Sequence, residues 1–122
     1  MAHKPEGYPT VSPYLLVPDP QALLDFAASA FGAEPLRVIP DGAGRILHAE
    51  FRIEDSVVML GGMPGGPGGH LHLYLADPDA AFLRAVDAGA EEVQPMTEKG
   101  DGDRRGGVRD PSGTTWWLSR QL

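Results

Sequence analysis

The sequence predicts an α+β fold built from two copies of one β-α-β-β-β module. The first observation is a repeat: LLVPDPQA, starting at Leu15, and LYLADPDA, starting at Leu73, each hold an apolar strand, an Asp-Pro pair and a helix start, 58 residues apart. The second is that a glycine, Gly32 or Gly89, follows each helical stretch. The third is that strand-like segments and turns follow both helices. We therefore expect two sheets that curve into a cup, with the helices outside it.

Both helices carry the same signals at their ends. Asp19 and Asp77 are N-cap residues by type, and the proline after each fits the first helical position, where its missing N–H is harmless. Gly32 and Gly89 fit left-handed C-terminal caps. Apolar residues recur at helical spacing between the caps, which predicts one buried face per helix. These residues are Leu23, Leu24, Ala27, Ala30 and Phe31 in the first helix, and Phe82, Leu83 and Val86 in the second.

Strands occupy the rest of each module. After the first helix we predict strands at 35–39, 45–53 and 57–60, and a Gly- and Pro-rich linker at 63–69. The second module opens with a strand at 70–75, and its last three strands are predicted at 93–96, 105–109 and 115–119. We interpret residues 1–122 as a single domain, with module one at about 8–62 and module two at about 70–122.

Composition narrows the classes of function. The 122 residues are 42% hydrophobic, enough for one core without disulfides, and there is no cysteine. The 17 acidic against 10 basic residues give a net charge of −7, which disfavours nucleic acid and anionic membrane partners. No apolar run is long enough to span a bilayer, and the first residues do not look like a secretory signal. The expected location is cytoplasmic.

Strand alternation assigns side chains to two faces. Leu47, Ala49 and Phe51, the leucines at 71, 73 and 75, and Trp116 are predicted to face the helices. The opposite face is the candidate ligand-binding surface. Trp117 would offer a flat π-surface there for a planar or cationic ligand, although it could instead fill the cup or a dimer interface. The candidate ligand-binding residues are Tyr14, His48, Glu50, Met59, His70, His72, Tyr74 and Trp117.

Four stretches resemble a known superfamily: residues 19–34, 45–52 (RILHAEFR), 88–90 and 102–117 (GDRRGGVRDPSGTTWW). They are similar to the vicinal-oxygen-chelate superfamily, which includes glyoxalase I, bleomycin-resistance proteins and extradiol dioxygenases. The last stretch resembles the ending of the bleomycin-resistance and PhnB-like branch. The resemblance covers nearly the whole chain and implies the glyoxalase/bleomycin-resistance fold. It does not imply a reaction, because the scaffold serves isomerases, dioxygenases, thiol transferases and non-catalytic drug binders.

The resemblance also implies where metal ligands would lie. The metal enzymes take a ligand from the first and last strand of each module, and these positions fall on Ser12, Met59, His70 and Trp117. Only His70 is a good ligand, and a catalytic divalent ion needs about three. We therefore expect no metal and no cofactor. A displaced set, His70 with His48, Glu50 or His72, stays open, as does the alternative that these residues line a wet cavity.

The favoured hypothesis is a metal-independent binding protein that sequesters an antibiotic or another planar or cationic natural product. The alternatives are a metal-dependent lyase, isomerase or dioxygenase, and a metal-free protein of unassigned role. We favour a non-enzyme and assign no catalytic residue. The resemblance implies a homodimer with shared ligand crevices. Arg104, Arg105 and Arg109, with acidic neighbours at Asp101, Asp103 and Asp110, are interpreted as an ion-paired surface.

Overall fold

The computed structural model describes residues 2–122 and has the predicted α+β fold. Each module forms a four-stranded sheet, with strand order β1-β4-β3-β2 in module one and β5-β8-β7-β6 in module two. The first strand of each module runs parallel to the last, and the other pairs are antiparallel. The elements of module one are β1 (Tyr14–Val17), α1 (Pro20–Phe31), β2 (Glu34–Pro40), β3 (Ile46–Ile53) and β4 (Ser56–Gly62). Those of module two are β5 (His70–Tyr74), α2 (Pro78–Asp87), β6 (Glu91–Glu98), β7 (Asp103–Arg109) and β8 (Thr115–Gln121).

Both helix starts, and the end of α1, have the predicted capping chemistry. The Asp19 carboxylate accepts a hydrogen bond from the Ala22 backbone N–H at 3.2 Å, and Asp77 accepts one from Ala80 at 3.1 Å. At the C-terminal end of α1, Gly32 has φ +65°, the left-handed conformation that glycine adopts without a steric penalty. Helix α2 has 10 residues against 12 in α1, and its C-cap is Ala88, with φ −83°, rather than the predicted Gly89, which follows with φ +105°. Local chemistry therefore starts both helices at the same relative position, but they end at different ones.

The helices cover one face of each sheet and also pack against each other. Trp116 of β8 is 0% exposed and lies against Phe31 and Phe26 of α1 and Phe51 of β3, with the Phe31 centroid 4.8 Å away. Burial of a large apolar side chain of this kind contributes about 2–3 kcal/mol to the free energy of unfolding. The buried apolar residues of both modules form one hydrophobic cluster. The other face of each sheet is left for polar and aromatic side chains.

Helix α2 buries a different face from the predicted one. Leu83 is 67% exposed and Val86 is exposed, whereas Phe82 is buried as predicted, together with Ala81 and Ala85. Alanine side chains let α2 approach α1 closely, and the Arg84 Nε donates to the Ala30 carbonyl at 3.0 Å across this contact. Leu83 and Val86 consequently point to solvent.

The prediction that Leu47 faces the core is also wrong. Ile39 pairs with His48 and Pro40 pairs with Ile46, so Leu47 is an extra residue in β3 with no partner on β2. Such a β-bulge interrupts the alternation of side chains, and Leu47 is exposed. Ala49 and Phe51, beyond the bulge, are buried as predicted.

A buried aspartate organises the turn between β7 and β8. Asp110 Oδ1 accepts from the Ser112 backbone N–H at 2.7 Å, the Ser112 hydroxyl at 2.6 Å and the Thr114 backbone N–H at 3.1 Å. Its Oδ2 accepts from the indole Nε1 of Trp116 at 2.8 Å. Asp110 therefore serves the turn and the core, and is not a partner of the neighbouring arginines.

Candidate functional site

The uncovered face of module one carries a cluster of polar and aromatic side chains, here called the module-one cluster: Tyr8, Tyr14, His48, Glu50 and Met59. Met59 of β4 pairs with Tyr14 of β1 on one side and with Glu50 of β3 on the other. Cross-strand neighbours share a face of the sheet. The register therefore brings together four of the predicted ligand-binding residues.

Glu50 is the buried charge of this cluster. It is 2% exposed, and its carboxylate accepts hydrogen bonds from the Tyr8 hydroxyl and from His48 Nε2, the latter at 2.7 Å. Burial by itself would raise the pKa of Glu50, but the hydrogen bonds from His48 and Tyr8, together with the nearby Arg37 charge, outweigh it and hold the pKa below its ordinary value. The hydrogen bond to this carboxylate also raises the pKa of Tyr8. Glu50 is therefore ionised at neutral pH.

His48 connects Glu50 to Tyr14. Its Nδ1 lies 2.9 Å from the Tyr14 hydroxyl, and the two rings are tilted by 32° with their centroids 5.5 Å apart. Gly61 lies next to Tyr14, and a Cβ on Gly61 would lie 3.0 Å from the Tyr14 hydroxyl oxygen. The glycine therefore leaves the space that lets the phenol reach across the sheet to the imidazole.

The uncovered face of module two carries the module-two cluster: His70, His72, Tyr74 and Trp117, with Arg105 and Asp103. The half-buried indole of Trp117 lies nearly parallel to the His70 ring, with an interplanar angle of 13° and ring centroids 6.2 Å apart, and its Nε1 donates to His70 Nδ1 at 3.1 Å. Gly107 is the cross-strand partner of Trp117. A Cβ on Gly107 would lie 2.6 Å from the indole, so only glycine lets the ring lie flat over β7.

A second set of hydrogen bonds extends this cluster along β5. His72 Nε2 lies 3.1 Å from Arg105 Nε and 3.0 Å from the Ser119 hydroxyl. The Tyr74 hydroxyl and Arg105 Nη2 both donate to Asp103 Oδ2, at 2.8 and 2.7 Å. The hydrogen bond to Asp103 raises the pKa of Tyr74. The predicted ion pairing of Arg105 is present, to Asp101 and Asp103.

The two clusters are separate within one chain. Among residues 2–122, no hydrogen bond or aromatic contact joins the module-one cluster to the module-two cluster. The displaced metal set requires His48 or Glu50 to approach His70, or His70 and His72 to gain a third ligand. No group of three or more His, Asp or Glu side chains suited to a metal ion occurs in this part of the chain.

A cavity of about 470 Å³ opens between the two modules, beside the β3–β4 turn and β5. Of the predicted ligand-binding residues, His72 and Tyr74 line it, together with apolar residues such as Val57 and Leu73. Neither Tyr14 nor Trp117 lines this cavity. The remaining candidate residues lie on open sheet faces.

Sequence reasoning missed several contributors to these clusters. Tyr8 lies before the first repeat and Arg37 lies on β2, so no periodic signal connects them to Glu50. Arg105 was assigned to an ion-paired surface, and its bond to His72 depends on the β7–β8 register. Gly61 and Gly107 are the contributors that the sequence could have indicated, because each is a strand glycine beside the aromatic ring for which it leaves space.

Within residues 2–122, no helix is long and apolar enough to cross a membrane. Comparison with known families shows that residues 9–118 match the model described as the Glyoxalase/Bleomycin resistance protein/Dioxygenase superfamily. Among curated proteins, the uncharacterised protein Rv0887c of Mycobacterium tuberculosis is 37% identical, over 93% of this chain and 75% of its own length. These matches span both modules.

Solved structures have the same architecture. TioX from Micromonospora sp. ML1 is 30% identical and superposes with a TM-score of 0.76, covering 89% of this chain and 95% of TioX. The fosfomycin resistance protein FosX of Listeria monocytogenes is 16% identical, with a TM-score of 0.73 over 93% of this chain and 94% of FosX. At that identity, the likeness to FosX concerns the fold alone.

Proposed function

The chain belongs to the Glyoxalase/Bleomycin resistance protein/Dioxygenase superfamily, and from this premise we propose that it is a metal-independent protein that binds and sequesters a planar, cationic small molecule such as an antibiotic. The observation that carries the proposal is the Trp117 indole, which lies flat over Gly107 on the uncovered face of module two. A flat indole stacks on planar aromatic ligands and on cations, each contact contributing about 0.5–2 kcal/mol. The description of the family that residues 9–118 match includes bleomycin resistance proteins, which supports a resistance role.

Electrostatics favour a positively charged ligand. Glu50 places an ionised carboxylate on the uncovered face of module one, and the net charge of the chain is −7. The negative electrostatic potential of these charges raises the local concentration of cations and their association rate. The hydroxyl of Tyr14 and the rings of His70 and His72 add hydrogen-bonding groups that would orient the ligand.

We also propose that the binding protein is a homodimer, as the resemblance implied. Each cluster lies on an open sheet face, whereas small-molecule sites are usually concave and bury most of their ligand. A second copy related by a two-fold axis could place its module two opposite module one of the first copy, which would enclose both clusters. Analytical ultracentrifugation tests this: a dimer at micromolar concentration is expected, and a monomer would contradict it. Cytoplasmic location stays a prediction from the sequence.

Independence from metal rests on the ligand chemistry of the four positions that the superfamily uses. Ser12, Met59 and Trp117 are poor ligands for a hard or borderline divalent ion, which leaves His70. Calorimetric titration of metal-stripped protein with Zn²⁺, Ni²⁺, Co²⁺, Mn²⁺ and Fe²⁺ should give no tight stoichiometric binding. Tight binding that His70→Ala abolishes would refute metal independence and favour a metal-dependent enzyme.

Ligand binding is tested with planar and cationic compounds of known structure. Ethidium, a planar aromatic cation, and bleomycin should change the tryptophan emission of the wild-type protein. Trp117→Leu should weaken the binding about two- to tenfold or more, since it removes the stacking surface. Leu83→Gln, at an exposed position of α2 far from both clusters, is the matched control and should bind normally. If a broad panel of such compounds leaves the emission unchanged, the proposal fails.

A further inference from the structure

We propose that Glu50, His48 and Tyr14 form a proton relay that makes the Tyr14 hydroxyl a nucleophile toward acyl and sulfonyl electrophiles on the uncovered face of module one. This activity goes beyond ligand sequestration and does not depend on which ligand the protein binds. It rests on three features: the direction of two hydrogen bonds, the exposure of the phenol, and the different partners of the other two tyrosines.

The hydrogen bonds define the tautomer of His48. The Glu50 carboxylate is ionised and can only accept, so His48 Nε2 must carry a proton and donate it across the 2.7 Å contact. In a neutral imidazole the other nitrogen then has a free lone pair. In this form His48 Nδ1 is the acceptor, and the Tyr14 hydroxyl donates to it at 2.9 Å. The Tyr8 hydroxyl occupies the second oxygen of Glu50, which holds the carboxylate in place.

The arrangement has the parts of an activated nucleophile. A hydroxyl donates to an imidazole, and the imidazole is oriented by a carboxylate that stabilises the imidazolium formed on proton transfer. Glu50 is 2% exposed and His48 is largely buried, whereas Tyr14 is 51% exposed. The relay is consequently buried at its carboxylate end and open to small molecules at its phenol end.

The other tyrosines of the chain differ in one respect. Tyr8 and Tyr74 both donate to carboxylates, Glu50 and Asp103, and these hydrogen bonds raise the pKa of each phenol. Within the described residues, Tyr14 is the tyrosine whose hydroxyl donates to a nitrogen base. Tyr74 is 62% exposed, so access alone would make it at least as reactive as Tyr14. A faster rate at Tyr14 than at Tyr74 therefore cannot be due to greater exposure.

The covalent step can be written for phenylmethanesulfonyl fluoride. The Tyr14 oxygen forms a bond to sulfur, the S–F bond breaks, and fluoride leaves with the electron pair of that bond. The phenolic proton passes to His48 Nδ1, which gives an imidazolium paired with Glu50. Loss of that proton to water restores the neutral relay. The product is a sulfonate ester on Tyr14, and no oxidant or reductant takes part.

The test measures the rate of this modification at each tyrosine of the full chain at pH 7.5 by peptide mass spectrometry. Tyr14 should react about tenfold faster than Tyr74 or more, because general-base assistance contributes about 10²–10⁴-fold in favourable geometries. His48→Gln keeps a hydrogen-bonding side chain but removes the base, and should lower the Tyr14 rate to that of Tyr74. His3→Gln, an exposed histidine outside both clusters, is the matched control and should leave both rates unchanged.

Two outcomes would overturn the relay. One is equal rates at Tyr14 and Tyr74 in the wild-type protein, a comparison that needs no variant and no folding control. The other is a His48→Gln protein with an unchanged thermal midpoint and an unchanged Tyr14 rate. Neither outcome affects the proposed sequestration, which is measured by ethidium binding at Trp117. Failure of the relay and failure of the proposed function are therefore distinguishable.

Discussion

Substitution of Gly107 by alanine probes the surface on which the proposed function rests. The added Cβ would lie 2.6 and 2.7 Å from two carbons of the Trp117 indole, whereas carbon atoms in contact are usually about 3.5–4.0 Å apart. The ring must therefore move by about 1 Å. Gly107 does not have a positive φ, so alanine adds steric crowding without backbone strain.

The expected cost follows from the displacement. Overpacking of this kind costs about 1–3 kcal/mol. A shift of about 1 Å also weakens the 3.1 Å hydrogen bond between the Trp117 indole and His70, and the cost of overpacking given above includes this loss. Since Trp117 is half-buried and can swing outward, we expect the free energy of unfolding to fall by about 1–2 kcal/mol. Ethidium should bind about two- to tenfold more weakly, because the stacking surface no longer lies flat.

Gly106→Ala is the matched control. Gly106 is adjacent on β7 and faces the opposite side of the sheet, where an added Cβ would lie 2.5 Å from the Met96 sulfur. Urea unfolding should show that both variants lose stability. Acrylamide quenching reports mainly on Trp117, since Trp116 is 0% exposed, and should rise in Gly107→Ala but not in Gly106→Ala. Equal quenching and equal ethidium affinity in the two variants would refute the assigned position of the indole.

Two further predictions concern buried carboxylates. Asp110→Ala removes the acceptor of two backbone N–H groups and the Trp116 indole, and should lower the free energy of unfolding by about 3–5 kcal/mol in urea; a loss below about 1 kcal/mol would show that water replaces the carboxylate. The pKa of Glu50 is lowered in the folded protein, so its stabilising contribution is complete above the ordinary carboxyl pKa and is lost as the pH falls through the folded value. The free energy of unfolding should therefore fall below about pH 4, and less steeply in Glu50→Gln; parallel pH profiles for the two proteins would contradict the assigned ionisation.

Those parts of the fold that depend on local chemistry could be predicted from the sequence. The Asp-Pro starts of the helices and the glycines after them require only neighbouring residues, and the repetition of the Asp-Pro pair 58 residues apart indicates the two-module organisation of the whole chain. The predictions are wrong where contacts between residues far apart in the sequence determine which side chains are buried. The buried face of α2 depends on how closely α1 approaches, which favours Ala81 and Ala85 over Leu83. The bulge at Leu47 arises from pairing with β2.

The candidate site, too, could be predicted from the sequence only in part. Alternation with a period of two placed Tyr14 on the face opposite Leu15, and His48 and Glu50 on the face opposite Ala49. It could not show that Tyr8 closes over Glu50, because Tyr8 lies outside any strand. Nor could it give the direction of the hydrogen bonds at His48, which depends on the ionisation of a carboxylate two residues away.

Alternation also explains why membership of the superfamily leaves the function open. In the inner strands of each sheet, one set of side chains builds the shared core and the other set is free to carry chemistry. The most family-like stretch of this chain, around Asp110, serves the turn and Trp116 in the core. The residues on the opposite faces, Tyr14 with His48 in module one and Trp117 with His70 in module two, are the ones that we propose as determinants of the ligand. The reactivity of Tyr14 and the stacking at Trp117 are therefore two independent measurements: the first tests the proton relay of module one, and the second tests ligand binding at module two.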